Sequence, residues 1–208
     1  MPTNIPDLGP AARRLADLLG ELTDDHFDRP TPCEKYTVGD LVDHVGGLAL
    51  AFTAAATERD RGAGPGVGPG RDRPPTPSAS ALPPDWRKEF PRRLAALAEA
   101  WTDPAAWDGF TRVGGVDLPG GVAGRVALNE LVIHTWDLTV ATGVPYSPRY
   151  AATLGELDVC ADVLAHALPA EQRPPSGGPF GPPVPVRADA PLLSRVLALS
   201  GRDPEWAP

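Results

Sequence analysis

Lysine is nearly missing from this chain. Lys35 and Lys88 are the only two, and acidic residues outnumber basic ones by 27 to 19, for a net charge of −8. Sequence-independent nucleic-acid binding needs a cationic surface, so a nucleic-acid partner is not expected. Cysteine is scarce as well. Cys33 and Cys160 are too few for a disulfide framework. No apolar run approaches the roughly 20 residues of a membrane span, so no membrane partner is expected. The start, Met1-Pro2-Thr3-Asn4-Ile5-Pro6-Asp7, has neither a basic nor an apolar leader region. No signal peptide is expected, and the cytoplasm is the default compartment.

What is abundant is proline, glycine and arginine, with 27 prolines and 22 glycines. With the frequent alanine, this usage points to a GC-rich genome. The length, 208 residues, suits one domain over 1–208 with a sizeable core.

Leu15, Leu18, Leu19 and Leu22 recur at helical spacing and predict a helix over about 10–23. Thr37 and Asp40 read as a capping box that opens a second helix to about Glu58. Its apolar stripe is Leu41, Val45, Leu48 and Phe52, with His44 among them. Residues 61–84 are rich in Gly, Pro and Ser and read as a flexible loop. A third helix is expected within about 85–101, kinked or restarted at Pro91. Residues 103–124 read as loop holding at most a hairpin. A fourth helix over about 122–142 ends at Gly143. Ser147-Pro148 signals the start of a fifth, about 148–168, with Leu154, Leu157, Ala161, Leu164 and Leu168 as its stripe. A second Pro/Gly-rich loop, about 169–188, leads to a short helix at about 190–200. The fold class is all-α: an antiparallel four-helix bundle with long connections and an extra C-terminal helix.

The chemistry sits on the fourth helix. At about 100° per residue, Glu130, His134 and Asp137 share an arc of about 60°. Val126 and Ile133 border that arc on one side, and Ala127, Leu131 and Leu138 on the other. A polar stripe with apolar flanks points into a core. His44 on the second helix sits likewise between Leu41 and Leu48. His44, Glu130 and His134 therefore form a candidate metal set. Two imidazoles and a carboxylate suit zinc, with nickel, iron(II) or manganese as alternatives, and three protein donors leave a position open. With one carboxylate a divalent site carries +1, which an anion such as a thiolate or hydroxide neutralises.

Other readings stand beside this one. His44 alone would be a hydrogen-bonded core histidine, and Glu130 with His134 a buried ion pair. Asp137 reads either as a partner orienting a ligand imidazole or as a buried cap. His26 reads as solvated and His166 as a dipole-facing helix-end residue. Cys33 reads as an inert thiol rather than a nucleophile or fourth ligand, and Cys160 as packing. Among seventeen arginines, Arg125 and Arg149 are no better than arbitrary choices for binding an acidic substrate.

The stretch Thr31-Pro32-Cys33-Glu34-Lys35-Tyr36-Thr37-Val38-Gly39-Asp40-Leu41-Val42-Asp43-His44 resembles the TPCxxWTVxDLxxH segment of the DinB-like superfamily. Glu130 through Leu138 resembles the ExxxHxWDL of the branch named for the N-terminal domain of mycothiol-dependent maleylpyruvate isomerase. The ending, Phe180 to Val186 and Gly201-Arg202-Asp203-Pro204, is similar to short actinobacterial members. Tyr36 stands where tryptophan is usual. The resemblance implies a four-helix bundle holding one divalent metal, typically zinc, through His44, Glu130 and His134. It implies a low-molecular-weight thiol such as mycothiol as cosubstrate and a small electrophile as substrate, for S-transfer or isomerisation. Metal-dependent hydrolysis and a non-catalytic metal- or thiol-binding module stay open, as does a homodimer. The separate C-terminal domain of the isomerase does not follow in this sequence, so maleylpyruvate isomerase activity itself is not expected.

Overall fold

The computed structural model describes residues 5–57, 76–168 and 180–208. Helix α1 (Gly9–Glu21) carries Pro10 in its first turn, and the Asp7 carboxylate accepts from Gly9 N at 2.8 Å. Leu15, Leu18 and Leu19 are fully buried along it. Helix α2 (Val38–Thr57) opens on the expected box: Thr37 N donates to Asp40 Oδ2 (3.1 Å) and Asp40 N to Thr37 Oγ1 (3.3 Å). The other Asp40 oxygen accepts from Ala79 N at 2.9 Å, and Asp43 accepts from Ser78 N at 3.0 Å. So residues 78–79, inside the loop expected over 61–84, are tied to α2. Residues 61–75 and 169–179 of the two expected loops lie outside the described residues.

Helix α3 (Trp86–Ala100) runs through Pro91 without a break. Phe90, Leu94 and Leu97 are buried on its inner face, and that packing outweighs the hydrogen bond a proline cannot make. Phe90 lies against Gly46 of α2, where a Cβ would overlap its ring. A two-stranded antiparallel hairpin, β1 (Phe110–Val113) with β2 (Val116–Pro119), pairs Thr111 with Leu118. Gly114 and Gly115, both at positive φ (58° and 85°), make its turn. A strictly all-α class is thereby corrected to a mainly helical one with a small hairpin. The hairpin falls within the stretch 103–124, whose glycines made it read mainly as loop.

Helix α4 (Gly120–Thr142) is the central rod, buried at every residue from Val126 to Thr139. Gly143, at φ 76°, caps it, and Arg29 Nη1 donates to the terminal carbonyl of Thr142 at 3.0 Å. Both α1 and α2 pack against α3 and against α4.

Helix α5 begins later than the Ser147-Pro148 signal suggests. It spans Leu154–Asp162 and continues as one π-helical turn over Val163–Ala167. Thr153 and Glu156 form the better cap: Thr153 N donates to Glu156 Oε2 (2.7 Å) and Glu156 N to Thr153 Oγ1 (3.2 Å). Ser147 instead starts a tight turn, its carbonyl accepting from Tyr150 N. As the first helical residue Leu154 points outward and is 73% exposed, so it leaves the expected stripe, whereas Leu157 and Leu164 are buried. Helix α6 (Leu192–Leu199) packs against α5.

Among the described residues one helix, α2, is long and apolar enough to span a membrane, with a mean hydropathy of 1.2, but 56% of that stretch is buried inside the fold. Packing against α3 and α4 accounts for its apolar character.

Candidate metal centre

The site forms where α2 and α4 face each other. Glu130 and His134, one turn apart on α4, are 6% and 4% exposed. His134 Nε2 lies 2.9 Å from Glu130 Oε2, and His44 Nε2 of α2 lies 3.5 Å from that same oxygen. One ligand atom from each of His44, Glu130 and His134 falls within 4.8 Å of the others. Bonds of about 2.1 Å put neighbouring donors about 3.4 Å apart in a tetrahedron and about 3.0 Å apart in an octahedron. The spacing thus suits one divalent cation after small adjustments, and the donor set, two nitrogens and one oxygen, suits a borderline metal. The imidazoles of His44 and His134 meet edge to face, with ring centroids 5.0 Å apart.

Asp137 is the next polar side chain on this face, and it is fully buried. Its Oδ2 lies 2.9 Å from His134 Nδ1, which leaves Nε2 turned toward Glu130. Burial opposes every charge here, and the partners overcome it. On Glu130, hydrogen bonds from His134 and His44 outweigh burial and hold the carboxyl far below the usual range. On His134, burial is outweighed by the hydrogen bonds to Asp137 and Glu130, and the ring is raised to about 9. On Asp137, burial is outweighed only by the attraction of Arg202 together with the hydrogen bond and charge of His134, and its carboxyl is lowered.

Arg202 was not legible as a site residue. Its Nη2 donates to Asp137 Oδ2 at 3.1 Å, its Nε to Oδ1 at 3.4 Å and its Nη1 to Ser200 O at 3.0 Å; the residue is 4% exposed. It arrives by a Schellman turn at the end of α6. Gly201 N donates to Ala198 O and Arg202 N to Leu197 O, with Gly201 at φ 84°. Gly201 also passes so close to Gly181 that a Cβ would come within 2.8 Å of its backbone. The only sequence signal for Arg202 was its place in the Gly-Arg-Asp-Pro ending. Arg125 and Arg149 lie elsewhere: one bonds to Gly121 O on its own helix, the other pairs with Glu21 on the surface.

The loop before α2 closes the site from the side. Pro30 and Thr37 bridge it, and Thr31 Oγ1 donates to the carbonyls of Cys33 and Tyr36. The Tyr36 ring stacks on His44 at 5.5 Å, so the residue in the usual tryptophan position keeps an aromatic contact with a candidate ligand. Cys33 is near enough to feel Arg202, Asp137 and Glu130, but burial dominates and pushes its thiol up to about 11. That fits the inert reading. Cys160 is fully buried and pushed up by burial to about 12. His26 closes a surface turn with Thr23, and exposed His166 pairs with Asp162.

Residues 8–139 match the family model described as mycothiol maleylpyruvate isomerase N-terminal domain. The chain belongs to this family. The match takes in all three candidate ligands and Asp137 but stops short of Arg202. Two proteins described as uncharacterized, from Mycobacterium tuberculosis strains CDC 1551 / Oshkosh and ATCC 25618 / H37Rv, are each 27% identical over 190 residues, covering 90% of this chain and 91% of their own length. No solved structure matches the chain.

Proposed function

We propose that this protein binds one divalent metal, zinc first among the candidates, through His44, Glu130 and His134. It uses the metal to activate a low-molecular-weight thiol, such as mycothiol, for S-transfer to, or isomerisation of, a small electrophile. The convergence of three donor atoms within 4.8 Å on two buried helices carries this reading. The family's name, with its mycothiol, supplies the thiol. The metal's part would be to acidify the thiol bound at the open position.

The chain's own residues would do the rest. His134 is oriented by Asp137, so that Nε2 is the donor. Glu130 and His134 are buried, while His44 is partly open to solvent, the side from which a thiol would reach the site. The carboxylate next to the donors, Asp137, is committed to His134 and Arg202. It is therefore not free to act as the general base that hydrolysis by an activated water would need, and thiol chemistry is favoured over hydrolysis.

The test is elemental analysis of purified protein followed by titration of mycothiol onto the cobalt(II)-substituted form. About one metal per chain is expected, lost in His44→Ala and His134→Ala, with a change in the visible spectrum as the thiol binds. A wild type that takes up no metal after reconstitution refutes the metal reading. Metal uptake with no spectral response to thiol refutes the thiol reading, and turnover of an ester without thiol would establish hydrolysis in its place.

A further inference from the structure

The charges around the site include one that the donor set alone does not explain. A divalent cation with Glu130 would carry a net +1. Asp137, hydrogen-bonded to His134 and fully buried, would cancel that to zero. Arg202, buried and forked onto the same carboxylate, restores it to +1. We infer that Arg202 is a positioning and charge-balancing residue: it allows Asp137 to orient His134 without cancelling the positive charge that draws an anionic ligand to the open position. This rests on the metal reading above.

Three features support it. Arg202 comes from a segment 65 residues away in sequence, delivered by a dedicated turn at Gly201. Its guanidinium bonds only to Asp137 and to the carbonyl of Ser200 among the described residues, so its charge is spent on the site rather than on a surface pair. Two oppositely charged buried groups joined by a fork are costly to assemble, and apolar packing would stabilise that spot as well or better. Their presence needs a reason other than stability.

The test titrates azide, an anion, and imidazole, a neutral ligand, onto the cobalt(II)-loaded full chain and follows the visible spectrum. Arg202→Met takes the site to zero, and azide affinity relative to imidazole is expected to fall by roughly tenfold or more. Arg202→Lys keeps the charge and is expected to stay within about threefold of wild type. Asp137→Asn takes the site to +2 and should raise the ratio. The double variant Asp137→Asn/Arg202→Met returns it to +1 and should restore the wild-type ratio although both partners are gone, so the inference stays testable even where Arg202→Met alone folds poorly. An unchanged ratio in Arg202→Met, or a double variant as low as or lower than Arg202→Met, overturns the inference. A wild type that takes up no cobalt overturns the metal reading and this inference with it; uptake with an unchanged ratio overturns this inference alone.

Discussion

The raised pKa of His134 would make metal binding at the proposed site depend on pH in a way an ordinary histidine would not. The ring holds its proton up to about 9 because Asp137 and Glu130 flank it in a buried site. The nitrogen that would bind a cation is Nε2, which faces Glu130 at 2.9 Å. At neutral pH that nitrogen is protonated, so metal uptake must expel about one proton. With a pKa of about 9, the fraction of deprotonated ring rises about 25-fold between pH 7.0 and 8.5, and apparent affinity should rise with it, by about 2 kcal/mol. An imidazole titrating at its unperturbed value near 6.5 would add only about 1.3-fold over the same interval. Competition against a chromophoric chelator of known pH dependence measures the slope. Calorimetry in two buffers of different ionisation enthalpy counts the protons released. A flat affinity with no proton release would refute the reasoning. The metal-free protein should show the mirror image. Its folded ring binds the proton more tightly than the unfolded one, so His134 stabilises the fold fully below about 6.5, and that contribution is lost as pH climbs through about 9.

Three further outcomes are expected. Gly46→Ala sets a methyl group against the Phe90 ring; overpacking of about 1–3 kcal/mol should exceed the gain of about 1 kcal/mol in helix propensity, lowering the urea midpoint, whereas a raised midpoint would show that α2 and α3 have slack there. Gly201→Ala forces a side chain into left-handed backbone at a cost of about 1–2 kcal/mol, besides crowding Gly181, and should loosen Arg202 as well; an unchanged melting temperature would mean the turn does not need glycine. Cys33, with its thiol pushed up to about 11, should react with iodoacetamide at pH 8 far more slowly than a free thiol when followed by mass spectrometry, and Cys33→Ser should keep the metal stoichiometry.

The candidate donors were legible because helical spacing is geometry. Residues 130, 134 and 137 share a face on any α-helix, and apolar flanks reveal which way that face looks. His44 yielded to the same logic, and capping chemistry placed the start of α2 within a residue. What resisted was of two kinds. Local signals competed at α5, where Thr153 and Glu156 satisfy each other's backbone and Ser147 closes a turn instead. Long-range pairings left no periodic trace. Arg202 meets Asp137 through the turn after α6, and beyond its place in the Gly-Arg-Asp-Pro ending nothing sets it apart from sixteen other arginines. The full burial of α4 was also hidden. Thr135, Thr139 and Thr142 look like solvent-facing positions, yet each hydroxyl donates to a carbonyl of its own helix and is thereby made fit for the interior.

Because two of the three candidate donors share one helix and the third rides on another, the geometry around a bound cation would depend on the gap between α2 and α4. Residues that wedge or narrow that gap need not touch the ion to choose among ions. A methyl added or removed well along the seam could retune preference from a smaller to a larger cation, and related chains could diverge in the metal they hold while every donor stays in place.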